Sequence, residues 1–336
     1  TGALDEEQIR KIEEVYLYQE NLLKRKEDVI RLIDEKGLLT DELKSKIMAA
    51  TKLVEVEDLY RPYKEKKKTK ATDAINNGLE PLAKMILAFP TKGSITELSS
   101  KFINEKVKTE EDAITGAGYI IAEWISDNAY YRKWIRNYTY KSGMIESKIK
   151  KDAKDEQKVY EMYYDYQETV NRIKPHRILA INRAEKEKII NVNIKVDHEK
   201  ILEFLENKVI KNKNSYVVDI VVSAIKDSYK RLIFPSIERE IRSELTEIGE
   251  NSAIENFGKN LESLLLTPPM KEKVVLGFDP GFVNGCKLAV IDKNGTYLTS
   301  TVIKPFMNSN KEEAISKSKK TVLDLIQKYQ VDIIAI

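Results

Sequence analysis

The chain has 336 residues, of which 42% are hydrophobic and 33% are charged, and its formal net charge is +3. This composition is too apolar for a disordered chain, and the length exceeds what one hydrophobic core usually organises, so we expect two or three folded domains. The single cysteine excludes a disulfide framework, and the near-neutral net charge means that any signal for a polyanion must be local.

The sequence contains no signal peptide and no apolar stretch long enough to span a membrane, so we expect a cytoplasmic protein without a membrane partner. It begins without an initiator Met and ends on "VDIIAI", an apolar run typical of a buried strand. Natural termini are usually polar and exposed. We therefore expect a fragment of a longer protein.

The first 170 residues are predicted to be almost entirely helical. Apolar residues recur at helical spacing over 5–35, which predicts one long amphipathic helix. A later short helix is expected to end before Pro62, because a residue that precedes proline avoids the helical region. Thr69 is a suitable N-cap for the next helix, and residues 109–141 are predicted to continue as helix.

The second half changes from helical to strand-like spacing. Residues 176–190 are typical of a helix, "NVNIKVD" after them alternates like a strand, and helices are expected over 198–265. Two prolines in "TPPM" then predict a linker. The runs beyond it predict three strands, a helix and a last strand, at 273–279, 286–292, 296–304, 311–329 and 331–336.

These elements predict a multidomain chain with a mainly α fold followed by a mixed α/β sheet. The domain boundaries we expect are 1–266 for the helical region, 267–271 for the linker and 272–336 for the first part of the sheet domain.

The stretch "LYRPYKEKKKTKATDA" concentrates positive charge beside a predicted helix start. Clustered cations repel one another unless an anion neutralises them, and phosphate is a suitable anion. A solvated, lysine-rich turn is the alternative. Interleaved aromatic side chains and stiffening prolines favour nucleic acid, and the predicted contacts are Arg61, Tyr63, Lys64, Lys66, Lys67, Lys68 and Lys70.

Three segments together resemble the Tex family of bacterial transcription accessory proteins: "EDLYRPYKEKKKTKATDAINNGLEPLA", "PHRILAINRAEKEKII" and "VLGFDPGFVNGCKLAVID". The resemblance implies a multidomain nucleic-acid-binding protein with a helix-turn-helix element in the helical region. It also implies a YqgF-type domain of RNase H-like fold, helix-hairpin-helix modules and an OB-fold. This chain would end inside the YqgF-type domain and lack the last two.

Asp279 ends the first predicted strand of that domain and has two interpretations. As a metal ligand it would belong to a nuclease site with Mg²⁺, but two-metal cleavage needs several converging carboxylates. Asp292 and Asp332 fall at the opposite edge of the sheet in the predicted topology, and Glu312 and Glu313 are typical of a helix N-terminus. As a turn residue it fits Asp-Pro-Gly chemistry, and we favour this interpretation.

Other polar and aromatic groups give weaker signals. Arg177 and Arg183 are predicted to point at phosphate. The aromatic residues between Trp124 and Tyr140 could stack on bases, although their helical spacing is more typical of core packing. Neither histidine has a cysteine or acidic partner at metal-ligand spacing, so no zinc site and no cofactor is expected.

The leading hypothesis from the sequence is a non-catalytic, nucleic-acid-binding scaffold that acts in transcription and contacts RNA, DNA or both. The alternatives are a metal-dependent nuclease that uses Asp279 and a helical platform that binds RNA polymerase.

Overall fold

The computed structural model describes residues 5–66, 68–268, 270–306 and 311–336, without the side chains of Glu7 and Lys311. The chain divides into two compact units, one ending at Glu255 and the other beginning at Asn256. The predicted fold class is confirmed, since helices dominate the first unit and a small mixed sheet dominates the second. The predicted domain boundaries at 266 and 272 stay a prediction.

The helices that begin in the first unit are α1 Glu6–Asp34, α2 Asp41–Ala49, α3 Leu53–Tyr60, α4 Lys70–Asn76, α5 Glu80–Leu87, α6 Ile95–Ser99, α7 Glu110–Ser126, α8 Ala129–Ser142, α9 Pro175–Lys186, α10 His198–Val209, α11 Val218–Asp227 and α12 Phe234–Leu265. The prediction of one long first helix is confirmed by α1. Thr40, Thr69 and Thr109 each accept a hydrogen bond from a backbone N–H of the helix that they precede. These caps satisfy donors that a helix start would otherwise leave unpaired.

The prediction of continuous helix over 109–141 is wrong, because the chain breaks between α7 and α8. Asp127 follows the last residue of α7, and the Asn128 side chain accepts a hydrogen bond from the backbone N–H of Tyr131. Asn128 is therefore the N-cap of a new helix. The aromatic residues after it have helical spacing, which hides the break from a search for periodicity.

The prediction that residues 1–170 are almost all helical is also wrong. Strands β1 Met144–Ile149 and β2 Asp165–Thr169 pair antiparallel, and β1 also pairs antiparallel with β3 Ile190–Lys195. Only β3 was predicted. Burial alternates along β1 over only a few residues. Its strand pattern in the sequence is therefore weak compared with the patterns of the long helices.

A buried polar network joins α3, α8 and α12 within the first unit. Asp58 accepts one hydrogen bond from Arg132 Nε and one from Arg136 Nη2, each at 2.6 Å. Arg136 also contacts Glu240, and Arg132 Nη2 donates to Ser236 Oγ at 3.1 Å. The Arg132 side chain is 2% exposed, its Nη1 has no hydrogen-bond partner among the described residues, and burial lowers its pKa.

A second cluster, which we call the aromatic ladder, consists of Tyr130, Trp134 and Tyr138 on α8 with Phe204 on α10. The Trp134 ring stacks on Phe204 with a centroid distance of 3.7 Å and on Tyr138 with 5.2 Å. Lys200 Nζ lies 5.7 Å from the Tyr138 centroid. The stacked faces of these rings are therefore used in packing the two helices together.

The second unit contains β4 Val275–Asp279, β5 Cys286–Ile291, β6 Tyr297–Ile303, α13 Lys311–Tyr329 and β7 Ile333–Ala335. Its sheet has the order β6-β5-β4-β7, in which β4 and β7 are parallel and the other neighbours are antiparallel. The predicted element order is confirmed. Leu276, Leu288 and Val290 are buried in a core that includes Val322 and Leu325 of α13. In the part of the chain that the structure describes, no helix is both long and apolar enough to cross a membrane.

Candidate nucleic-acid interface

The basic loop, residues 61–70, is held in place at both ends. It begins directly after α3 with a short 3-10 turn, Arg61–Tyr63, in which Pro62 fixes the backbone. At its other end, the hydroxyl of Thr69 accepts a hydrogen bond from the backbone N–H of Thr72 at 3.1 Å. The Thr72 hydroxyl in turn accepts from the backbone N–H of Thr69 at 2.7 Å. This reciprocal capping fixes the junction with α4.

Two cations of the basic loop point inward to carboxylates at the end of α7. Lys66 Nζ lies 2.9 Å from a Glu123 oxygen and also contacts the carboxylate of Asp127. Arg61 Nε donates to the other Asp127 oxygen at 3.2 Å. Burial raises the pKa of Asp127, whereas its hydrogen bond to Lys66 acts in the opposite direction. Arg61 and Lys66, both predicted contacts with nucleic acid, are thus held by ion pairs.

Three other lysines of the basic loop stay on the surface. Lys64, Lys68 and Lys70 are exposed, and none has an ion pair with a described acidic side chain. Lys70 Nζ lies 4.7 Å from the ring centroid of Tyr119 and 3.4 Å from its hydroxyl. An aromatic ring attracts a cation without neutralising its charge. None of these three cations is therefore neutralised by a described carboxylate.

The remaining predicted contacts of the basic loop differ in position. Tyr63 is half-buried against the apolar core of the first helices, and its carbonyl accepts from Lys36 Nζ at 2.7 Å. Lys67 lies outside the described residues. An open cleft of about 510 Å³ adjoins the loop and is lined by both Lys64 and Lys66 together with the indole of Trp124.

Arg177 and Arg183 occupy α9, and no hydrogen bond or ion pair among the described residues connects them with the basic loop. Arg177 Nη1 donates to both oxygens of Glu168 at 3.0 Å and to the Tyr166 hydroxyl at 3.2 Å. Burial, followed by the hydrogen bond to Glu168, raises the pKa of Tyr166 to about 12. Arg183 is exposed. Arg177 therefore joins α9 to the small sheet, and its contact with phosphate stays a prediction.

Asp279 lies exposed at the end of β4, where its cross-strand partner on β5 is Lys287. Asp292 accepts from two backbone N–H groups of its own turn at 2.8 Å, and Asp332 accepts from Val274 N at 2.9 Å near the start of β4. The described residues include no group of three or more His, Cys, Asp or Glu side chains that could hold a metal ion. The nuclease hypothesis and its Mg²⁺ stay a prediction.

Side chains of α7 that were not predicted as part of the interface face the basic loop. Tyr119, Glu123 and Asp127 follow one another at intervals of four residues, so they lie on one side of the helix. An aromatic residue and two acids at this spacing are a weak signal by themselves. Their relevance depends on a loop that precedes them by about 50 residues in the sequence.

The fold places the chain in the class of proteins that join a mainly helical region to an RNase H-like sheet. Two family models match the chain: the Tex central region-like model over residues 92–257 and the Tex protein YqgF-like domain over residues 273–336. The chain belongs to the Tex family.

Three relatives illustrate the similarity. The chain is 52% identical over its full length to "Uncharacterized protein YdcI" of Bacillus subtilis and 31% identical over its full length to "Transcriptional accessory protein Tex" of Neisseria gonorrhoeae. It is 30% identical over 89% of its length to "S1 RNA-binding domain-containing protein 1" of Homo sapiens. The chain spans 47%, 44% and 31% of these relatives, respectively, and so less than half of each.

Proposed function

We propose that this chain is a non-catalytic, nucleic-acid-binding part of a transcription accessory protein, and that it contacts the phosphate backbone of RNA, DNA or both through the basic loop. The observation that carries the proposal is the exposure of Lys64, Lys68 and Lys70 on a segment fixed at both ends, without acidic partners among the described residues. The names of two relatives, a transcriptional accessory protein and an S1 RNA-binding domain-containing protein, support the same role.

The mechanism of this binding is neutralisation of phosphate by lysine. Each neutralised phosphate releases condensed counterions, so the affinity falls as the salt concentration rises. Lysine side chains contact phosphate as point charges and do not distinguish bases. We therefore propose binding that depends strongly on salt and weakly on sequence. A contact with RNA polymerase, the helix-turn-helix element and a cytoplasmic location stay predictions.

Reversal of the three exposed charges tests the proposal. The variant Lys64→Glu, Lys68→Glu, Lys70→Glu is expected to bind a labelled 20-nucleotide RNA or DNA strand at least tenfold more weakly in low salt. The slope of log affinity against log salt concentration is expected to fall by about 2, since each lost phosphate contact contributes roughly 0.7 on a single strand. Fluorescence anisotropy at several salt concentrations measures both quantities.

A matched control is available at the far end of α8. Lys141 lies in the last turn of α8 and Lys151 and Lys154 follow it; all three are exposed, whereas the basic loop adjoins the beginning of the helix. Their reversal to Glu changes the net charge by the same amount. The control is expected to bind nearly as well as the parent chain. Equal binding by all three proteins, or an equal loss in both variants, would contradict the role of the basic loop.

Neutralising Asp127 is expected to strengthen binding. Asp127→Asn removes the carboxylate that pairs with Arg61 and one of the two that pair with Lys66, so Arg61 becomes available to phosphate while Lys66 keeps Glu123. The salt slope on a single strand is expected to steepen by up to about 0.7. Because burial raises the pKa of Asp127, this carboxyl is protonated at a higher pH than an ordinary aspartate. The difference in affinity between parent and variant is therefore expected to shrink as the pH falls.

The comparison for this variant is Asp219→Asn, which removes an exposed carboxylate on α11. It changes the net charge equally and releases no cation of the basic loop. Binding curves from pH 5 to pH 8 at constant ionic strength provide the measurement. Weaker binding by Asp127→Asn, or a gain no greater than that of Asp219→Asn, would show that these ion pairs do not restrain the loop.

A further inference from the structure

We infer that Lys70 and Arg231 form a second phosphate-binding site, organised by the ring of Tyr119 on α7. The inference rests on the proposed function, because it extends the path of a nucleic-acid strand from the basic loop to another part of the helical unit. The observation behind it is that two cations from distant parts of the sequence share one aromatic ring. Lys70 Nζ lies 4.7 Å and Arg231 Cζ 5.6 Å from the Tyr119 centroid.

The ring helps to place these cations without adding a negative charge of its own. Tyr119 lies on α7 and packs against the main core with part of its surface, so its position is fixed by the fold. The π electrons attract a cation, and the ring remains uncharged. Lys70 has no ion pair with a described acidic side chain, in contrast to Lys66, which contacts two acids. A phosphate at this point would therefore meet a positioned ammonium group without a competing carboxylate on Lys70.

Arg231 contributes the second set of hydrogen-bond donors. Its Nε and Nη2 donate to the two oxygens of Asp227 at 2.8 Å and 2.6 Å. Its Nη1 takes part in no hydrogen bond among the described residues, and the side chain is 37% exposed. Asp227 thus fixes the plane of the guanidinium, and the free edge can donate to a phosphate oxygen.

The backbone that carries Arg231 has an uncommon conformation. Residues Ser228–Ile233 form a π-helical segment between α11 and α12. Such segments are rare and are found frequently at functional sites, because the additional residue in the turn redirects the side chains. Here Ser228 Oγ is buried without a hydrogen-bond partner among the described residues, which is an energetic cost of this geometry.

This site would allow one strand to contact both the basic loop and the π-helical segment of the helical unit. Lys70 is the first residue of α4 and also the last cation of the basic loop. A strand whose phosphates follow Lys64 and Lys68 would reach Arg231 next after Lys70, because both cations contact the ring of Tyr119. The ligand class is the phosphate backbone of a single strand, in RNA or DNA.

Four variants of the full chain test this site with labelled 20-nucleotide strands. Arg231→Gln is expected to lower the salt slope by about 0.7, which corresponds to one phosphate contact and to a two- to threefold change in affinity between 50 mM and 200 mM salt. Tyr119→Leu is expected to give at least the same loss, because both cations lose the ring that positions them. Tyr119→Phe keeps the ring and is expected to bind like the parent.

The fourth variant, Lys230→Gln, removes an exposed cation next to Arg231 in the π-helical segment. Unlike Arg231, Lys230 has no described contact with the Tyr119 ring. It is expected to leave the slope nearly unchanged. If Arg231→Gln and Lys230→Gln bind alike while charge reversal in the basic loop still abolishes binding, the second site is wrong and the proposed function stands. If the parent chain binds no strand even in low salt, the proposed function itself fails.

Folding of the Tyr119 variants is followed by thermal unfolding, because this residue contacts the core. Should Tyr119→Leu unfold, the comparison of Arg231→Gln with Lys230→Gln decides the question, since both positions are exposed. Cross-linking of a strand with photoreactive 4-thiouracil gives a separate readout. Adducts in peptides that contain residues 226–234 are expected for the parent, and adducts confined to the basic loop would contradict the second site.

Discussion

Replacing Asp58 with alanine is expected to lower the free energy of unfolding of the helical unit by about 3–5 kcal/mol. Asp58 is the shared acceptor of Arg132 and Arg136, and its side chain is 7% exposed. Its removal leaves Arg132 in a buried position with no carboxylate closer than Glu240 at 3.8 Å. An uncompensated buried charge is far more costly than the loss of a surface ion pair.

Urea unfolding monitored by circular dichroism measures this change. The matched control is Glu42→Ala, which breaks an exposed ion pair with Lys46 in α2 and is expected to alter the stability little. Substitution of Asp58, Arg132 and Arg136 together by apolar residues of similar volume is expected to recover much of the loss. A small effect of Asp58→Ala would show that water reaches these arginines.

Replacing Trp134 with alanine is expected to destabilise the same unit by about 3 kcal/mol. The indole stacks on Phe204 and Tyr138 and so joins α8 to α10. Trp134→Phe keeps an aromatic ring in this position and is expected to retain most of the stability. Tyr130→Ala, at the 56% exposed end of the aromatic ladder, is expected to have a smaller effect.

The same variants separate the two interpretations of these aromatic residues. If the aromatic ladder serves packing, a fully folded Tyr130→Ala variant is expected to bind a single strand like the parent chain. If its rings stack on bases, substitution by alanine costs about 1–3 kcal/mol of binding energy per base. Loss of affinity in a Tyr130→Ala variant that remains fully folded would favour base stacking.

Some of the fold could be predicted because the signals are local. Pro62 and Thr69 define the limits of the basic loop through backbone sterics and capping. In the second unit, short apolar runs with turns between them indicate the strands, and the order of the elements determines which edge of the sheet receives Asp279. These features depend on residues that are neighbours in the sequence.

Other features depend on contacts that the sequence does not reveal. The restraint of Lys66 by Glu123 and Asp127 joins residues that are about 60 positions apart, and a search for charge clusters sees only the lysines. The break after α7 is similarly hidden, because Asn128 interrupts a pattern that is helical on both sides. The shared ring of Tyr119 brings together Lys70 and Arg231, which are separated by most of the helical unit.

A proline turn over Arg61–Tyr63 and a capped helix that begins at Lys70 hold the two ends of the basic loop in place before a ligand arrives. Complex formation then requires no folding of these ends, and charge steering sets the encounter rate. Stopped-flow traces are therefore expected to show a single phase whose rate rises linearly with strand concentration and falls with ionic strength.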